Sequence, residues 1–123
     1  MGNIGKRQTK IQMEMATQRQ PIAVSDMYNH VSSIPNITKN ANPEAMEVIN
    51  LVRQQPNATI TIYKATSGNT INKGDYVFLD KRHADRWTRG AMGGTKPGFK
   101  VVEKQVSAGE VEWTRRGFEF RYR

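Results

Sequence analysis

Lys64, Asp80 and Glu119 are the charged side chains that this sequence sets against short apolar runs, and so the places where it can hold chemistry. Lys64 closes the run Ala58 to Ala65, ATITIYKA. In a pleated strand, positions 60, 62 and 64 share one face. Ile60 and Ile62 make that the buried face, so Lys64 projects where an apolar residue is expected. Held in a cleft, its ammonium would meet a phosphate or a carboxylate. At a strand end, its stem would pack while the ammonium reached water. Asp80 comes directly after the run Tyr76 to Leu79. There it can orient a ribose hydroxyl or cap the helix that follows. Glu119 lies between Phe118 and Phe120. A carboxylate so placed can bond a sugar hydroxyl and stabilise a developing oxocarbenium ion. Alternation can equally send it to solvent, beside Arg116 or Arg121. Glu110 and Glu112 share a strand face, expected to be solvated and opposite Val111 and Trp113.

Positive charge is the second theme. The 123 residues carry a formal net charge of +8, which favours anionic partners: nucleic acid, acidic proteins or cofactor phosphates. Lys81 and Arg82 cluster with Arg86 and Arg89, Lys96 with Lys100, and Arg115 and Arg116 with Arg121 and Arg123. With Trp87, Trp113 and Tyr122 nearby, these clusters could hold single-stranded nucleic acid by charge and stacking. The sequence has no RNP, KH or helix-turn-helix signature to support that use. The stretch Gly90 to Gly98 has no Walker pattern.

Other chemistries are set aside by what the chain lacks. Cysteine is absent, which removes disulfides, thiolate nucleophiles and cysteine metal sites. His30 and His83 have no ligand spacing, so no metal is expected. No apolar run approaches the ~20 residues of a membrane span, so no membrane partner is expected. The start, Met1 to Lys6, has no apolar core of a secretory signal. Lys6 stands where a myristoylation start needs Ser or Thr.

These side chains need a scaffold. Residues 1–40 are poor in core-forming types and read as a basic polar arm, disordered or laid against a partner. A short helix near Ser25 to Ser33, capped by Ser25, is the one element expected there. Residues 41–123 read as the folded domain. Asn42-Pro43-Glu44 opens a helix with a cap, a proline at the first position and an acid in the first turn. Ala45, Val48, Ile49 and Val52 draw its apolar stripe, giving a helix over 43–54. Strands are expected at 58–65, 76–79 and 99–106, with short ones at 110–113 and 118–122. A helix over 81–89 turns Ala84 and Trp87 inward, and a glycine-rich loop follows it. The expected core is Val48, Ile49, Val52, Ile60, Ile62, Val77, Leu79, Trp87, Val101, Val106, Val111, Trp113 and Phe118. Runs of strands without regular alternation with helices predict an α+β fold with a mainly antiparallel sheet.

From Asn42 to Tyr122 the chain resembles the ADP-ribosyltransferase-like domains of phage polyvalent proteins and small stand-alone phage proteins. Four segments carry the resemblance. Gln55 to Ala65 is similar to the family's first strand, which ends Tyr-Arg-Ala. Ile71 to Asp80, read as INKGDYVFLD, is similar to its Asn-Pro-Gly-Asp-Trp-Val-Thr-Leu-Ser segment, with His83-Ala84 where the family opens a helix. Val102 to Val111 resembles its Val-rich stretch, and Phe118 to Tyr122 its closing Glu-Trp-Gly-Tyr.

The resemblance implies a split-sheet domain that takes NAD as substrate and transfers ADP-ribose to a host macromolecule. By position, the family's phosphate-gripping arginine falls on Lys64, its ordering serine on Asp80 and its glutamate on Glu119. Tyr63 and Arg82 would complete the NAD contacts, Arg82 by compensating the charge of Asp80. Lys64 lacks the planar fork of arginine, and Asp80 sets a negative charge near a pyrophosphate. The alternative is a non-catalytic basic module on the same scaffold. It would hold nucleic acid or a phage or host protein complex through Lys81, Arg86, Arg89, Arg115 and Arg116. Either role implies the cytoplasm of an infected bacterial host, or association with the virion.

Overall fold

The computed structural model describes residues 21–88 and 98–123. In chain order these form strand β1 (Ile22–Ala23), a 3-10 helix (Val24–Ser33), helices α1 (Asn36–Ala41) and α2 (Pro43–Leu51), and strands β2 (Thr59–Thr66) and β3 (Tyr76–Val77). Helix α3 (Lys81–Thr88), β4 (Lys100–Ser107), a short 3-10 turn (Ala108–Glu110), β5 (Val111–Trp113) and β6 (Phe120–Tyr122) complete them. The fold is α+β, as the strand-rich order predicts. Every strand pair is antiparallel.

The strands divide into two sheets. One runs β1-β5-β6-β3 and the other is the pair β2-β4. β2 is built from alternating Thr and Ile with a tyrosine, types that fit a pleated, half-buried surface. It pairs along its whole length with β4, from Thr59 opposite Ser107 to Thr66 opposite Lys100. Opposite residues share a face, so Ile60 and Val106 enter the core together. In the larger sheet Val77 and Trp113 both pair with Phe120, and all three are buried.

The boundary expected at residue 40 does not hold. β1 pairs with β5, Ile22 opposite Trp113. Val24 and Met27 are fully buried and Ile34 nearly so. The Gln54 amide donates to the Ser25 carbonyl at 2.8 Å, tying this segment to the end of α2. A 3-10 helix has three residues per turn, so side chains three apart eclipse. Val24 and Met27 therefore lie one above the other on the buried side. Residues 1–20 of the expected arm lie outside the described residues.

Helix α2 starts at Pro43 as expected, but Asn42 does not cap it. The Asn42 side chain donates backward instead, from Nδ2 to the Thr38 carbonyl at 2.9 Å, where it closes the unexpected α1. The helix stops at Leu51 rather than 54, and Gln54 turns the chain with φ of 60°. The core also differs from expectation. Trp87 is partly exposed, and Val48 and Val101 are only half-buried. Val24, Met27, Ile34, Ile71, Phe120 and Tyr122 are buried instead.

Candidate functional site

Among the described residues one backbone bridge joins the two sheets, and the site lies around it. Tyr63 and Phe78 exchange both backbone hydrogen bonds, at 2.9 and 2.8 Å. Alternation then sends Val77 and Leu79 into the core and Tyr76 and Phe78 to the opposite face. Helix α3 covers part of that face. The Phe78 ring lies 4.3 Å from the His83 ring and 6.2 Å from Trp87, centroid to centroid.

Two hollows open beside this aromatic group. One, of about 380 Å³, is lined by Lys64, Ala65, Asp75 and Phe99. The other, of about 410 Å³, is lined by His83, Arg116, Phe118 and Glu119. Both share Tyr76, Phe78 and Trp87 as walls. Each volume lies in the range of small-molecule sites, about 300–1,000 Å³.

Lys64 does reach the first hollow, but its ammonium has a partner in the fold. Nζ lies 2.9 Å from Oδ2 of Asp75, with both side chains about three-quarters covered. The same carboxylate oxygen accepts the Asn72 amide at 2.8 Å. That amide foremost, and Lys64 next, hold the Asp75 carboxyl below its ordinary range. The turn between Asn72 and Asp75 also needs Gly74, whose φ is 99°. Asp75 was not among the expected site residues. Its signal was the turn itself, which ends in a carboxylate just before β3.

Asp80 takes the structural role of the two open to it. It is 3% exposed, and its Oδ1 accepts the Arg82 amide at 2.8 Å, capping α3. It lines neither hollow. Its neighbour across the fold is Glu44 of α2. A hydrogen bond to the Asp80 carboxyl, and then the charge of Asp80, push the Glu44 carboxyl above its usual value. Arg82 opposes this from 3.7 Å, its guanidinium turned to Glu44 on the surface. Tyr63 joins the sheets through its backbone and lines neither hollow. Burial first, and Glu103 second, raise its phenol. Lys64, Asp80 and Glu119 therefore do not converge on one pocket: two stand on adjoining hollows and the third caps a helix.

Glu119 is half-buried on the second hollow. The turn before it is tightly held. The Thr114 amide donates to the Glu119 carbonyl at 3.1 Å, and the Glu119 amide to the Arg116 carbonyl at 3.0 Å. The Trp113 indole N–H donates to the Gly117 carbonyl at 2.8 Å. Arg115 and Gly117 have φ of 70° and 50° within this turn. Arg116 is exposed at the rim of the hollow and Arg115 is half-covered. Lys81 and Arg86 are exposed on α3. Arg89 and Lys96 lie outside the described residues, as does most of the glycine-rich loop.

The expected solvated acidic face is absent. Glu112 is buried, with Oε2 3.7 Å from the Arg123 guanidinium. β5 is an inner strand, both of its edges paired, and Glu112 lies between Ala23 of β1 and Arg121 of β6. Glu110 forms a capping box with Ser107. His83, which has no ligand spacing in the sequence, is half-buried in the second hollow. Burial, then the charge of Arg86, lower its imidazole below the ordinary value, against Asp80.

Comparison with family models, with curated proteins and with solved structures finds no match to this chain.

Proposed function

We propose that this chain is an ADP-ribosyltransferase-like, NAD-directed domain in which Glu119 is the retained catalytic group. One observation carries this: Lys64 on β2 and Glu119 just before β6 line adjoining hollows that share the walls Tyr76, Phe78 and Trp87. A dinucleotide has two planar rings separated by two phosphates, and aromatic walls with a cation at one end suit that shape. Lys64 would meet a phosphate in competition with Asp75, and Arg116 offers a second cation at the rim. Glu119 would stabilise the positive charge that develops on the ribose carbon as nicotinamide leaves. Asp80 contributes by fixing α3, which carries Trp87 and His83, and not by touching the ligand.

Labelled NAD incubated with the protein and a bacterial lysate tests this. Transfer of label that disappears in Glu119→Gln, with the fold intact, is the expected result. Absence of transfer by the wild type, or full transfer by Glu119→Gln, overturns it.

A second reading, a basic module for nucleic acid or a protein complex, draws on the fate of the other two positions. Lys64 is paired with Asp75 and Asp80 caps a helix. Under it, binding falls steeply with added salt. A flat salt response counts against it.

A further inference from the structure

His83 is the ionisable group of the second hollow that the roles above leave unused. Its position is fixed from two sides. The Asp80 cap sets the first turn of α3, and the Phe78 ring lies against the imidazole at 4.3 Å with a 39° tilt. Phe78 is itself pinned by its double hydrogen bond to Tyr63. The ring therefore stands in the hollow as part of the rigid seam between the sheets.

Its charged surroundings are of both signs. Asp80 and Arg86 flank it along α3, while Arg116 and Glu119 line the hollow from the turn before β6. Asp80 in turn raises the Glu44 carboxyl of α2. Burial leaves the imidazole neutral at neutral pH. A neutral imidazole with a free nitrogen accepts a proton, and Glu119 lines the same hollow.

We propose that the second hollow, where Glu119 meets the nicotinamide ribose, also admits the acceptor beside it, and that His83 is its general base. This rests on the NAD-directed reading of the site. In the step, the acceptor N–H or O–H directs its lone pair at C1′ of the nicotinamide ribose. The new bond forms as the C1′–nitrogen bond breaks, and nicotinamide leaves neutral with that electron pair. The acceptor proton passes to the imidazole nitrogen of His83, and later to water. Glu119 stays ionised and stabilises the charge on the ribose.

The test compares wild type, His83→Gln and His83→Asn, using labelled NAD and a lysate acceptor across pH, with NAD-induced thermal stabilisation measured on each. The expected result is a loss of kcat of about 10²–10⁴-fold in both variants, with stabilisation by NAD retained. The wild-type rate should fall on the acid side with a midpoint below ~6.5, and the variants should lack that limb. Wild-type rates in the variants, or an acid limb that survives in them, overturn the base assignment and leave the NAD-directed reading standing. Loss of NAD stabilisation along with rate makes His83 a binding group and also overturns it. Absence of transfer by the wild type overturns both together. The wild-type pH profile decides the matter even where a variant fails to fold.

Discussion

Lys64 of β2 and Asp75, just before β3, place Nζ and Oδ2 2.9 Å apart across the opening between the two sheets. The pair closes that opening electrostatically while leaving the ammonium on the wall of a hollow. An arriving phosphate must share or displace Asp75. Asp75→Asn is thus expected to tighten binding of inorganic phosphate or NAD, measured by calorimetry, and to cost about 1 kcal/mol of stability through the weakened turn and ion pair. Weaker anion binding in Asp75→Asn would mean that Lys64 depends on Asp75 for its position.

The same groups predict how stability responds to acid. Asp75 has a folded value below the ordinary carboxylate range, so its contribution is complete above about pH 4 and is lost as pH falls through the lower folded value. His83 is also lowered. The unfolded chain takes up its proton first, so stability declines as pH drops below about 6.5. Denaturant titrations at a series of pH values should show both limbs. His83→Gln should remove the upper one and Asp75→Asn the lower.

Asp80 separates a capping role from a ligand-facing one. Asp80→Ala should cost about 1 kcal/mol, while Asp80→Ser should recover most of it, because a serine oxygen can still accept the Arg82 amide. Thermal melts of the two variants measure this. In Asp80→Ser the Glu44 carboxyl should also return toward its ordinary value, read by NMR titration. Equal melting points for Asp80→Ala and wild type would dismiss the cap.

The segment before α1 offers a direct check on the extent of the fold. Met27 is fully buried, and Met27→Ala should cost about 2–5 kcal/mol. Removing residues 1–20 leaves all of the described core in place, whereas removing 1–34 strips Val24, Met27 and Ile34 from it. Circular dichroism melts should show a cooperative transition for the shorter deletion and none for the longer.

Gly109 is a point of close backbone approach, where a methyl group fits only if Pro56 gives way. Its amide donates to the Pro56 carbonyl at 2.8 Å. A Cβ there would lie 3.1 Å from that oxygen and 3.0 Å from the Pro56 Cβ. Gly109→Ala should therefore cost about 1–3 kcal/mol, seen as a lower urea midpoint with an unchanged slope.

Sequence patterns revealed the elements that follow strong local rules. The alternation of β2, the proline start of α2 and the Asp80 cap of α3 all came from side-chain types within a few residues. What escaped was set by partners distant in sequence. Val24 and Met27 are too few to announce a core, and become one because β5 and α2 supply the other side. Glu112 is expected in solvent from its alternation with Val111 and Trp113; its cross-strand neighbours Ala23 and Arg121 flank it on both sides instead. At the site, Lys64 and Glu119 were legible as charges among apolar neighbours. Asp75 and His83 were not, because only the fold brings the Asn72–Asp75 turn to Lys64 and sets His83 in the same hollow as Glu119.

The central claim is that the paired hollows between Lys64 and Glu119 hold NAD. Thermal unfolding with and without NAD tests it most directly. At a hundredfold excess over Kd, binding should stabilise the protein by about 2.7 kcal/mol, with the gain reduced in Lys64→Ala and Phe78→Ala. A melting curve that NAD does not move at millimolar concentration would contradict it.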